Sequence, residues 1–144
     1  MTETSTRPLY SRDMLALAME LARYPMIGVA DRSAHAVSRT CGSRIDAEFD
    51  LADKTVSRIG INAKACAVGQ ASAALLARHV EGAAPLHIAD TRAGLEEWLA
   101  GAPLPDWPGL SLLEAARDHP GRHEALLLPW KVAQAALFSE QEPR

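Results

Sequence analysis

Two stretches of alternating polarity flank the dipeptide Asp53-Lys54, and they constrain the fold more than any other feature of the chain. Ile45, Ala47, Phe49 and Leu51 alternate with Arg44, Asp46, Glu48 and Asp50; Ile59, Ile61, Ala63 and Ala65 alternate with Arg58, Gly60, Asn62 and Lys64. A period of two marks strands with one buried and one wetted face. A short turn between two such strands predicts an antiparallel hairpin whose outer ends meet. Those outer ends carry the only two cysteines, Cys41 and Cys66. The hairpin therefore predicts that two thiols distant in sequence come within reach of one metal ion or of each other.

Helical periodicity accounts for much of the remainder. Met14, Leu15, Leu17, Ala18, Leu21 and Ala22 recur at helical spacing after Ser11, a candidate N-cap, and that helix should stop before Pro25. Residues 67–80 are rich in Ala and Leu and precede Gly82, which predicts a helix with a glycine beyond its C-terminus and Cys66 at its N-terminal end. Asp90 is a candidate cap for a helix running to Ala100 and stopped by Gly101. Residues 102–109 hold three prolines and predict a loop anchored by Trp107. Ser111-x-x-Glu114 has the spacing of a capping box, opening a short helix that Pro120-Gly121 ends. The last helix is expected to start near Pro129 and to carry Trp130, Val132, Ala133, Ala136 and Leu137.

At 144 residues the chain suits one domain, residues 1–144, with residues 1–8 expected as a flexible tail. A net charge of −3, with few aromatics and none interleaved with Lys or Arg, argues against a nucleic-acid partner. Neither an apolar leader nor a run of membrane-spanning length is present in the sequence, so a cytoplasmic protein is expected. Two cysteines are too few for a disulfide framework. No glycine-rich phosphate loop and no Gly-x-Ser-x-Gly is found, and the chain is not expected to be a stand-alone catalyst.

Cys41-Gly42-Ser43 opening the hairpin and Cys66-Ala67-Val68-Gly69-Gln70-Ala71-Ser72 closing it resemble the U-type iron–sulfur cluster assembly scaffolds, the NifU/IscU/SufU family. Leu9-Tyr10 before the first helix, and Leu128-Pro129-Trp130-Lys131 with Ala135-Ala136-Leu137 near the end, extend the likeness over roughly the whole chain. The long segment after Cys66 is most similar to the SufU branch. The resemblance implies an α+β fold of the SufE/NifU type, a three-stranded antiparallel sheet packed by about five helices, with Arg32–Thr40 as the third strand.

The resemblance also implies a function. Cys41 and Cys66 would hold iron, zinc or a nascent iron–sulfur cluster and take sulfur from a cysteine desulfurase, and the cluster would pass to apo iron–sulfur proteins. Monomer and weak homodimer are both compatible with it. Where the family carries an Asp this chain has Ser43, and where it carries a third Cys this chain has Ala125. Ser43, Glu124 and His123 are the candidate replacement ligands, Glu124 standing where the IscU branch has a histidine. His119 and His123 have i, i+4 spacing, but Pro120-Gly121 separates them. Cys66, at a helix N-terminus, is the expected sulfur acceptor, since backbone N–H groups there favour a thiolate. Two alternatives stay open: a partner-binding homologue that builds no cluster, and a persulfide carrier in which Cys41 resolves Cys66 by disulfide exchange.

Overall fold

A computed structural model describes residues 9–139, so the tail expected over residues 1–8 lies outside the described residues. Strands β2 (Arg44–Ala52) and β3 (Thr55–Lys64) form the expected antiparallel hairpin. Asp53 and Lys54 both take left-handed backbone angles, φ 52° and 66°, the geometry of a type I′ turn whose twist matches that of the strands it joins. The register pairs Ile45 with Ala63, Ala47 with Ile61 and Phe49 with Ile59, and all three pairs are apolar and buried. A slip of one residue would turn all of them to water.

Strand β1 (Arg32–Val37) pairs antiparallel with β2 and completes a sheet of order β1-β2-β3. It stops three residues short of the expected Thr40. The chain instead closes a tight turn, with the Ser38 N–H donating to the Ser43 carbonyl at 2.7 Å and the Gly42 N–H to the Ser38 carbonyl at 3.0 Å. Gly42 takes φ +73°, which a side chain would strain.

Helix α1 (Arg12–Met19) starts at Ser11, whose Oγ accepts the Met14 N–H at 3.1 Å, and a 3-10 turn carries the chain to Tyr24, before Pro25. The following loop crosses β3 at Gly60, where a Cβ would sit 2.6 Å from the Pro25 carbonyl oxygen. Helix α2 (Ala67–His79) follows β3 directly and is buried along most of its length. Helix α3 (Pro85–Leu99) begins six residues earlier than the Asp90 cap implied: Ala84 is its N-cap, Pro85 its first residue, and Asp90 is an exposed mid-helix residue. Proline at a first helical position has a fixed φ and lacks only an N–H that would find no partner there.

Ser111 does not open a helix. It lies inside a 3-10 turn, Leu110–Leu113, that begins after the left-handed Gly109, and α4 (Glu114–Arg117) has Leu113 as N-cap without a side-chain hydrogen bond. Trp107 anchors the preceding loop as expected, donating its Nε1–H to the Leu75 carbonyl at 3.0 Å. Among the described residues no helix is long and apolar enough to cross a membrane.

The last helix, α5 (His123–Leu137), starts six residues before Pro129 and encloses it. Proline in a helix interior removes the donor for the carbonyl four residues earlier, here that of Ala125. That carbonyl lies against α2, where the absent side chain of Gly69 leaves room: a Cβ there would be 3.3 Å from the Ala125 oxygen. One turn further along, the fully buried Trp130 donates Nε1–H to Ser72 Oγ at 2.9 Å, and Ser72 donates to the Leu126 carbonyl at 2.6 Å. Ser72 thus couples α2 to α5 through its one proton and one lone pair. Ser72→Ala leaves a buried indole N–H and a buried carbonyl without this partner, and is expected to lower unfolding free energy by about 1–3 kcal/mol in urea denaturation.

Candidate thiol site at the end of the hairpin

Three segments meet where the hairpin ends. The turn after β1 carries Cys41, and Arg44 pairs with Lys64 across the mouth of the hairpin, two residues before Cys66. Cys66 is the N-cap of α2, with extended angles φ −66° and ψ 170°, and its carbonyl accepts the Gln70 N–H at 3.0 Å. Cys41 is exposed and Cys66 half-buried, both as free thiols. The third segment is the start of α5, Arg122 to Ala125. Ala125 is 2% exposed, and its Cβ lies 3.6 Å from where a Gly69 Cβ would be, in the first turn of α2 after Cys66.

Ser38, 2% exposed, is the hub of the Cys41 turn. Its Oγ lies 3.3 Å from Cys41 Sγ, 3.4 Å from the Cys41 N–H that points to it, and 2.5 Å from Glu124 Oε1. Thr40 Oγ1 donates to the same carboxylate oxygen. Ser43, 4% exposed, places Oγ 3.0 Å from Cys41 Sγ. Hydrogen bonds from Ser38 and Thr40 hold the Glu124 carboxyl below the usual carboxylate range, with help from the charge of Lys131. Hydrogen bonds from Ser38 and Ser43 likewise hold the Cys41 thiol below its usual value, against burial and the negative charge of Glu124.

Those two effects compete for one proton. The Ser38 hydroxyl can donate once, and Glu124 at 2.5 Å is better placed to receive it than a sulfur at 3.3 Å. Ser43 is then the hydroxyl left to donate to the Cys41 thiolate. Cys41 therefore has a hydrogen-bond donor from its own turn, whereas the Cys66 side chain makes no capping hydrogen bond.

Arg122 links the two thiols electrostatically. Its Nε donates to Tyr10 Oη at 3.2 Å; that contact foremost, then negative charge at Cys66 and more weakly at Cys41, raises the guanidinium pKa. His123 points its Nε2 at the Arg117 carbonyl, 2.8 Å away; a carbonyl only accepts, so that nitrogen carries the proton and is withdrawn from coordination. Among the described residues no three of His, Cys, Asp and Glu are grouped closely enough to hold a metal ion. Periodicity missed Ser38, Thr40, Tyr10 and Arg122. The hydroxyl-rich run Ser38-Arg39-Thr40 just before Cys41 was the available signal.

No protein-family model and no curated protein matches the sequence. Solved structures do. A nitrogen-fixing NifU-like protein (N-terminal) from Brucella abortus superposes with a TM-score of 0.84 at 27% identity, covering 90% of this chain and 92% of that one. The chain is thus similar in fold and, over most of its length, in sequence to a NifU-like protein. A second structure, assigned as an iron–sulfur cluster assembly scaffold for the SUF system of Fervidobacterium islandicum AW-1, shares the fold with a TM-score of 0.82 at 18% identity, over 90% of this chain and 96% of that one.

The two positions at which the sequence departs from the motifs it resembles are both buried: Ser43 beside Cys41, and Ala125 against the start of α2. A lowered pKa means that more Cys41 is thiolate at neutral pH than an unperturbed cysteine would give. In a Cys66→Ser background, alkylation of Cys41 should therefore rise through a midpoint below that of an unperturbed cysteine. Ser43→Ala should shift the midpoint upward, and by more than Ser38→Ala does, because the Ser38 proton is held by Glu124.

Proposed function

We propose that the protein is an iron–sulfur cluster assembly scaffold in which Cys41 and Cys66 bind a metal ion or nascent cluster and accept sulfur. The observation that carries this proposal is the placement of both thiols at one end of the hairpin, within electrostatic reach of Arg122, in a fold shared with a NifU-like protein. A metal or cluster is cargo here, not a resident catalytic group. Thiolate sulfur is the ligand type that iron–sulfur clusters and zinc take, and such a cluster is normally held by four protein ligands. Cys41 and Cys66 supply two, so the remaining positions fall to ligands outside this pair.

Sulfur acceptance needs only a thiolate and a donor persulfide. The cysteine Sγ attacks the terminal sulfur of the donor, the donor's S–S bond breaks, its thiolate leaves, and a new S–S bond remains on the accepting cysteine. Cys41 is exposed and has the Ser43 hydroxyl within hydrogen-bond distance of its sulfur, which favours it for the encounter; Cys66 stands at the N-terminus of α2. A cysteine desulfurase as donor, apo iron–sulfur proteins as acceptors and a cytoplasmic setting come with the family likeness. No step requires the chain to be a catalyst by itself.

Ser43 and Ala125 specifically favour a second reading, a persulfide carrier that holds metal weakly, because each replaces a ligand of the family. Anaerobic reconstitution with ferrous iron and sulfide, followed by absorption spectroscopy and metal analysis after gel filtration, separates the two. A scaffold retains iron and sulfide; a carrier elutes without them. Ser43→Asp combined with Ala125→Cys should increase the iron or zinc retained, and an unchanged stoichiometry would contradict a metal-binding pocket at this place.

A further inference from the structure

Glu124 stands next to the site and offers a carboxylate, yet its oxygen is already engaged. Ser38 and Thr40 lie on one strand end and its turn, Glu124 in the first turn of α5, more than eighty residues later in the chain. Both hydroxyls donate to the same atom, Oε1. Ser38 is buried, and its Oγ also receives the Cys41 N–H, so the carboxylate grips the residue around which the Cys41 turn is folded. The backbone bonds from Ser38 to Ser43 and from Gly42 to Ser38 close the turn on itself but do not tie it to a helix. Within this network the tie to α5 is Glu124.

We propose that Glu124 is a positioning residue for Cys41: it latches the turn 38–43 to the start of α5 and fixes where the Cys41 sulfur stands, and it is not a metal ligand. The proposal rests on Cys41 being a thiol of the functional site. Coordination would require Oε1 to exchange two hydroxyl donors for a cation, releasing Ser38 and the turn together. A carboxylate so engaged holds the loop in the metal-free protein and has only Oε2 left to offer. Ala125 follows directly in α5, so the latch sets the Cys41 turn beside the surface where α5 touches Gly69 of α2.

The test uses the full chain with Glu124→Gln, Glu124→Ala and Thr40→Val. Glutamine keeps an oxygen that accepts from both hydroxyls but is a poor zinc ligand, so it separates the two roles. Hydrogen exchange of the amides of residues 39–43, and alkylation of Cys41 in a Cys66→Ser background, report the latch; zinc retained after gel filtration reports coordination. The expected result is exchange about tenfold faster in Glu124→Ala, as loss of one or two charge-assisted hydrogen bonds gives, with a smaller increase in Thr40→Val and near-parental exchange in Glu124→Gln. Glu124→Gln should also retain zinc at the parental stoichiometry. Exchange unchanged in Glu124→Ala and Thr40→Val overturns the latch; zinc lost in Glu124→Gln while its exchange stays parental shows a ligand and overturns the proposal as well. If the parent itself retains no metal or sulfide, the scaffold function fails, and the exchange and alkylation data still decide the latch.

Discussion

The contact between α2 and α5 is the constraint on which the rest depends. Gly69 lets the helices approach until the Ala125 carbonyl lies against α2, and Pro129 is what frees that carbonyl of its usual helical donor. Ser72 then joins Trp130 to the Leu126 carbonyl across the same seam, and Trp107 packs edge-on against Trp130 at 5.0 Å while bonding the Leu75 carbonyl. A buried polar relay is stabilising only when every member is satisfied, so these side chains admit little variation in helix spacing. Because Cys66 begins α2 and Glu124 lies in the first turn of α5, the seam also fixes the distance between the two helix N-termini that flank the Cys41 turn.

The site is therefore assembled from backbone ends, not from a motif along one element. The hairpin register sets Cys41 and Cys66 at one edge, and the helix N-termini supply an N-cap position, a guanidinium and a carboxylate. Charge is distributed unevenly around the sulfurs. Glu124 opposes negative charge at Cys41 and competes for the hydroxyl proton of Ser38, while the hydroxyl of Ser43 favours it. The chain thus shares its fold with a NifU-like protein and sets a hydroxyl, Ser43, and a methyl group, Ala125, in the buried surroundings of its two thiols.

Elements governed by local rules were legible in the sequence. Alternation around Asp53-Lys54 specified the hairpin because a period of two and a turn with left-handed residues leave few other structures, and Ser11 and Gly101 mark their helix ends as simple capping predicts. Failures came where tertiary contacts override local chemistry. Pro129 looked like a helix start, but the helix runs through it with the Ala125 carbonyl lying against Gly69 of another helix; Ser111-x-x-Glu114 looked like a capping box, but Gly109 turns the chain first. The cysteines could be placed from strand ends alone. The hydroxyl–carboxylate network could not, since Ser38 and Glu124 meet only after the sheet packs on α5.

The proposed function requires Cys41 and Cys66 to act together on one metal or cluster. X-ray absorption at the zinc edge of the zinc-loaded protein measures this most directly, by counting sulfur neighbours at a bond length of about 2.3 Å. Two sulfurs per zinc are expected in the parent, falling to one in either Cys41→Ser or Cys66→Ser. A first shell without sulfur, or a sulfur count that one of those substitutions leaves unchanged, would contradict a shared site.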